Sequence, residues 1–155
     1  MMDQPQSSRR DFLRAAAGAG LLQALVVDDA SATPETMKAE IQNLIGAAPL
    51  KEGRVTLDIP QLVENGNTVP MSIKVDSPMT AADHVAAIHV FNEKNPQPHV
   101  ASYTLGPRCG RAAISTRVKL ADTQNVVAIA QMSDGSFWSG TANVIVTIAA
   151  CLEDL

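Results

Sequence analysis

The sequence predicts an all-β fold, an immunoglobulin-like antiparallel β-sandwich with one short N-terminal helix. Three observations carry that prediction. From Arg54 onward, seven or eight short runs rich in Val, Ile and Thr are separated by Gly, Pro, Asn and Asp, at the roughly 8–12-residue spacing of sandwich strands. Ahead of them, a single stretch repeats its apolar residues at helical spacing. With 155 residues, 46% hydrophobic and 18% charged, the chain suits one domain with a buried core.

The first element is an address label. Ser8-Arg9-Arg10-Asp11-Phe12-Leu13 has the form of a twin-arginine export motif. Ala15 to Val27 follows with no charge, and Ala30-Ser31-Ala32 offers a small-x-small cleavage site. An uncharged run of thirteen residues is too short to span a bilayer, which takes about 20. Residues 1–32 are therefore expected to be a signal peptide, exporting a folded protein to the periplasm and leaving no membrane anchor after cleavage.

Residues 33–50 are expected to form a helix and a linker. Thr33 can cap, Pro34 suits the first helical position and Glu35 suits the positive end of the helix dipole. Met37, Ile41, Leu44 and Ile45 then line one face until about Ala47, with Gly46 and Pro49 as stop signals. Residues 51–148 are read as the sandwich. Its expected strands are Val55–Ile59, Val69–Val75, His84–Phe91, His99–Leu105, Ala112–Leu120, Val126–Met132 and Phe137–Ile148. Between them stand turn signals such as Asn65-Gly66-Asn67, Asp76-Ser77-Pro78, Asn95-Pro96-Gln97-Pro98 and Ser133-Asp134-Gly135-Ser136. Phe137 and Trp138 adjoin on a strand and must face opposite ways, with a core Trp138 the default for a sandwich. Residues 149–155 remain as a C-terminal arm.

Composition excludes several functions. A formal charge of −4 argues against a nucleic-acid partner, which calls for a basic face. Five aromatic residues are too few for stacking platforms, and two cysteines too few for a disulfide framework or a four-thiolate zinc site. His84 and His89 would point to opposite faces of one strand. His89 could approach His99 across a hairpin, but no third metal ligand is evident. Asp134-Gly135-Ser136 lacks both the Gly-x-Ser-x-Gly elbow and the alternating carboxylates of a calcium loop. No metal or cofactor site is therefore expected.

The two thiols differ in kind. Cys109 sits between Arg108 and Gly110-Arg111 in a loop, where two guanidinium groups favour thiolate. Cys151 follows a strand expected to end near Ile148, so three extended residues would give it a reach of roughly 10 Å. A thiol on such a tether suits a covalent carrier. A disulfide with Cys109, a subunit cross-link and an incidental residue are the alternatives.

Four segments together resemble a known family. They are Val75-Asp76-Ser77-Pro78-Met79-Thr80, His89 through Pro98, Ser115 through Ala121, and Met132-Ser133-Asp134-Gly135-Ser136-Phe137-Trp138. In that order, from about Lys51 to Cys151 and behind a twin-arginine leader, they resemble SoxY, the sulfur-carrying subunit of periplasmic thiosulfate oxidation. The resemblance implies an immunoglobulin-like fold and a non-enzymatic, cofactor-free carrier, co-exported as a heterodimer with a SoxZ-like subunit. It further implies that Cys151 is conjugated to thiosulfate by SoxXA-like haem subunits. A SoxB-like hydrolase then releases sulfate, and a sulfur-dehydrogenase-like enzyme, where present, oxidises the sulfane sulfur. The family tail is Gly-Gly-Cys-Gly, whereas this chain ends Ala149-Ala150-Cys151-Leu152-Glu153-Asp154-Leu155. A SoxZ-binding structural subunit that has lost sulfur loading is thus the alternative, and a thiol enzyme using Cys109 with a histidine base is a third reading.

Overall fold

In the computed structural model, residues 32–150 are described; the expected leader motif and Cys151 lie outside them. The helix α1 spans Pro34–Ile45. Thr33 caps it through a reciprocal pair, its Oγ1 accepting from the Thr36 amide at 3.2 Å while Thr36 Oγ1 accepts from the Thr33 amide at 2.7 Å. Gly46, at φ +60°, ends it two residues earlier than expected, because that backbone turn belongs to glycine.

The strands are β1 (Leu50–Glu52), β2 (Val55–Asp58), β3 (Leu62–Val63), β4 (Val69–Val75), β5 (Val85–Asn92), β6 (His99–Thr104), β7 (Ala112–Val118), β8 (Gln124–Met132) and β9 (Phe137–Val146). A larger sheet runs β1-β9-β8-β5-β6 with β3 also on β9, and a smaller one runs β2-β4-β7. All seven expected strands are present, and the two sheets pack as a sandwich. The antiparallel expectation needs one correction. β1 and β3 both lie parallel to β9 on the same edge, Leu50 opposite Phe137 and Leu62 opposite Ile145. Stretches of three and two residues are too short to show a period. They are strands because β9 offers them an open edge.

Alternation along the strands builds the core. Val69, Met71, Ile73 and Val75 of β4 are buried while Pro70 and Lys74 are exposed, the period of two of a half-buried strand. β8 is buried on both faces. Val126, Ala128, Ala130 and Met132 face the inter-sheet core, whereas Val127 and Ile129 join Phe91, Phe137 and Met37 under α1. The short helix thus covers the outer face of the larger sheet. Phe137 and Trp138 split as expected, but Phe137 goes under the helix and Trp138 sits half-buried at the rim of the core. Its indole N–H donates to Ser136 Oγ at 3.2 Å, and Lys51 Nζ and the Arg54 guanidinium lie 5.4 and 5.0 Å from the ring centroid. Among the described residues, no helix is long and apolar enough to cross a membrane.

Candidate functional site

The sequence pointed to the end of β9, and the structure shows how the chain leaves the body there. β9 ends as a strand at Val146, but the backbone does not come free. The segment after Pro60 runs alongside it: the amides of Ile145, Thr147 and Ile148 donate to the carbonyl oxygens of Gln61, Val63 and Glu64 at 2.8, 3.0 and 3.1 Å. Gly66 N–H then donates to the Ile148 carbonyl at 2.9 Å, and Ala150 N–H to the Leu120 carbonyl at 3.1 Å. Anchoring therefore reaches Ala150, not Ile148 as the sequence led one to expect. Cys151 itself lies outside the described residues, directly after an anchored one.

Gly66 makes this packing possible. A Cβ there would lie 2.3 Å from the Leu120 carbonyl oxygen and 2.9 Å from the Ala150 nitrogen, closer than any side chain fits. The Leu120 amide also donates to the Gly66 carbonyl at 2.9 Å, so three chain segments meet through backbone alone. Leu120 is held in turn from both sides by Asn95. Its Nδ2 donates to the Lys119 carbonyl at 2.9 Å, and its Oδ1 accepts from the Ala121 amide at 3.0 Å and from Gln124 Nε2 at 3.2 Å. Two of the segments that carried the family resemblance, 89–98 and 115–121, thus brace the root of the tail. Sequence reasoning read Asn65-Gly66-Asn67 only as a turn. Its signal for more was a glycine, which marks close backbone approach as readily as a bend.

Three apolar side chains are exposed beside this root: Leu62 (63%), Ile145 (49%) and Ile148 (63%). Leu62 and Ile145 are direct partners across β3 and β9.

Cys109 lies elsewhere. It is exposed in a 3-10 turn, Pro107–Cys109, its amide donating to the Gly106 carbonyl at 2.9 Å. That turn precedes Ala112, which pairs with Val75, whereas Leu120 follows Val118, which pairs with Val69. The Cys109 turn and the Leu120 carbonyl that holds Ala150 are therefore at opposite ends of the sandwich, about 20 Å apart along β7. Ala150, held at Leu120, therefore stands at the far end of the sandwich from Cys109.

The histidines divide as well. His84 Nδ1 lies 3.1 Å from the Thr80 carbonyl, next to the Ser133 loop. His89 and His99 do approach across the β5–β6 hairpin, with centroids 6.0 Å apart. Ser102 Oγ sits between them, 2.7 Å from His89 Nδ1 and 2.8 Å from His99 Nε2. A register shift between Val90 and Phe91 brings Phe91 opposite His99, and the rings stack at 5.0 Å. Burial holds the His89 imidazole below its ordinary pKa, the His99 charge adds to this, and Gln131 opposes it without reaching bonding geometry with the buried Nε2. Among the described residues, no three His, Cys, Asp or Glu groups come together as a metal site. Asp134 closes its turn by accepting the Ser136 amide at 2.8 Å. The Ser136 hydroxyl and amide hold its carboxyl below the usual range, with Lys51 and Arg54 assisting. Ser136 is thus a turn residue that also receives the Trp138 indole.

Comparison with known proteins adds to this geometry. A family profile described as Sulfur oxidation protein SoxY matches residues 41–151. Among solved structures, the sulfur carrier protein SoxY from Chlorobium limicola f thiosulfatophilum superposes with a TM-score of 0.62 at 28% identity, over 74% of this chain and 98% of that one. A superoxide reductase (neelaredoxin) from Ignicoccus hospitalis gives 0.55 at 15% identity, over 76% of this chain and 95% of that one. A putative superoxide reductase from Thermotoga maritima gives 0.52 at 18%, over 64% and 93%. At those identities the reductases share the fold alone. No curated protein matches the chain.

Proposed function

The chain belongs to the SoxY family of sulfur oxidation proteins, and from that premise we propose that it is a carrier that holds thiosulfate-derived sulfur covalently on Cys151. The observation that carries the reading is where the family match stops: it runs through residue 151, the first residue after the anchored stem. In the loading step the Cys151 thiol and thiosulfate lose two electrons and one proton and form an S–S bond, giving Cys–S–S–SO3−. A haem partner of the SoxXA kind accepts the electrons. Water then cleaves the S–SO3 bond on a SoxB-like hydrolase, releasing sulfate and a proton and leaving a persulfide. A sulfur-dehydrogenase-like enzyme would oxidise that group. The carrier supplies no acid, base or cofactor in these steps. Its contribution is the thiol and the place from which it is offered.

The same reading takes the protein to the periplasm by twin-arginine export in company with a SoxZ-like subunit. Intact mass after incubation with the haem partner and thiosulfate tests the carrier role. Wild type should gain the mass of one thiosulfate adduct and Cys151→Ala should not, while Cys109→Ala should load as wild type does. Equal masses for wild type and Cys151→Ala would sink the carrier reading. A second reading, a SoxZ-binding structural subunit, is favoured by the alanines and the Leu-Glu-Asp-Leu end where the family has glycines. It expects a stable heterodimer and no adduct.

A further inference from the structure

Beyond the identity of the thiol, we infer that Gly66 and Ala150 are positioning residues, which clamp the root of the tail so that Cys151 is offered from a fixed point on the body rather than from a swinging arm. This rests on the carrier reading for its purpose, but not for its geometry.

The clamp is a closed circuit of backbone bonds. Leu120 N–H donates to the Gly66 carbonyl, Gly66 N–H to the Ile148 carbonyl and Ala150 N–H to the Leu120 carbonyl, at 2.9, 2.9 and 3.1 Å. The platform under it is rigid, because Leu120 is 1% exposed and Asn95 holds both its neighbours. Covalent geometry does the rest. With Ala150 fixed, one Cα step of about 3.8 Å is all the backbone left between the anchor and the next residue. A stem free from Ile148 would instead sweep roughly 10 Å. A clamped thiol must be met by partners with shallow, body-facing thiol sites, and the apolar Leu62, Ile145 and Ile148 around the root become part of what such a partner touches. If the circuit opens, the thiol gains reach and loses direction.

Ala150→Pro tests this without disturbing the core, since proline has no N–H to give Leu120 and the position lies past the last strand. Ala150→Ser keeps the donor and is the conservative control. All variants are made in the full chain with Cys109→Ala, so that Cys151 is the single thiol. The first readout is the ratio of thiol modification rates for a bulky polyethylene-glycol maleimide and a small methanethiosulfonate. Loss of one neutral hydrogen bond corresponds to a shift of about fivefold in the clamped population. The ratio should therefore rise by about that factor in Ala150→Pro and stay near wild type in Ala150→Ser. The second readout is loading with the haem partner and thiosulfate. Ala150→Pro should lower kcat about fivefold with KM unchanged, because docking is intact and presentation is not, and Ala150→Ser should restore it.

An unchanged modification ratio in Ala150→Pro overturns the clamp. A changed ratio with undiminished loading overturns its positioning role. If no variant loads, wild type included, while the ratio still rises in Ala150→Pro, the clamp stands and the carrier reading falls. Should Ala150→Pro lose its fold by circular dichroism, Gly66→Ala is read in the same two assays, with the same outcomes.

Discussion

Two asparagines three residues apart, Asn92 and Asn95, should respond to substitution in opposite directions. Asn95 makes three side-chain bonds, to the Lys119 carbonyl, the Ala121 amide and Gln124 Nε2. At about 1 kcal/mol net per bond, Asn95→Ala should cost roughly 3 kcal/mol. That is a large part of the 5–15 kcal/mol total typical of a domain, and it lowers Tm by about 10 °C at this size. Asn92 is fully buried, and among the described residues neither its Oδ1 nor its Nδ2 has a hydrogen-bond partner. Replacing that amide with an apolar side chain of similar shape removes a desolvation cost and breaks no bond. Asn92→Leu should therefore be neutral or stabilising by up to about 2 kcal/mol. Urea unfolding followed by circular dichroism measures both, with unchanged m-values required so that the shift in midpoint reports stability alone. If Asn95→Ala costs under about 1 kcal/mol, the amide does not brace Leu120 and the account of the tail root fails with it. A cost above about 1 kcal/mol for Asn92→Leu would show that its amide is satisfied after all.

Gly66→Ala should destabilise by about 1–3 kcal/mol, the range for overpacking, because its Cβ meets the Leu120 carbonyl 2.3 Å away and backbone cannot step aside. Thermal unfolding of the variant beside wild type checks it, and a loss within error would mean that the loops have slack. His89 should make stability depend on pH with a defined sign. Its folded pKa lies below the unfolded value of about 6.5, so the unfolded state binds the proton first. The stability it allows is whole above about 6.5 and is lost as pH falls from there through the folded pKa; His89→Gln should flatten that segment of a Tm–pH curve. Reductant should leave the Tm of the monomer unchanged, since Cys109 and the tail root stand about 20 Å apart along β7. A Tm drop on reduction that Cys109→Ala abolishes would refute the separation.

The long elements were legible because each buries one regular face. The pattern Val69-Pro70-Met71-Ser72-Ile73-Lys74-Val75 announces a half-buried strand, and Met37, Ile41, Leu44 and Ile45 announce a helix with one side to hide. What escaped was decided by partners distant in sequence. Leu50–Glu52 and Leu62–Val63 are strands only because β9 runs beside them. The site was half legible. The position of Cys151 past the final strand singles it out as a candidate, but the anchoring of the chain as far as Ala150 is not visible there. Nothing local in Thr147-Ile148-Ala149-Ala150 says that it is tied to residues 63–66 and 120. Gly66 carried the only hint, and a glycine between two asparagines is read first as a turn.

The anchored stem also gives physical sense to the place where this tail departs from the glycine-flanked pattern of its family. A glycine loses more conformational freedom on being fixed than an alanine, by about 0.4–1 kcal/mol per position when the backbone geometry suits both. Glycines before the thiol therefore favour an arm that stays loose. Ala149 and Ala150 favour one that is held, and Ala150 is in fact held at Leu120. The substitution that looked like damage to a swinging arm is what a fixed presentation would select. On the carrier reading, the offering of the thiol then depends on residues with no chemistry of their own: a glycine that makes room, a leucine carbonyl that accepts, and an asparagine that keeps the leucine in place.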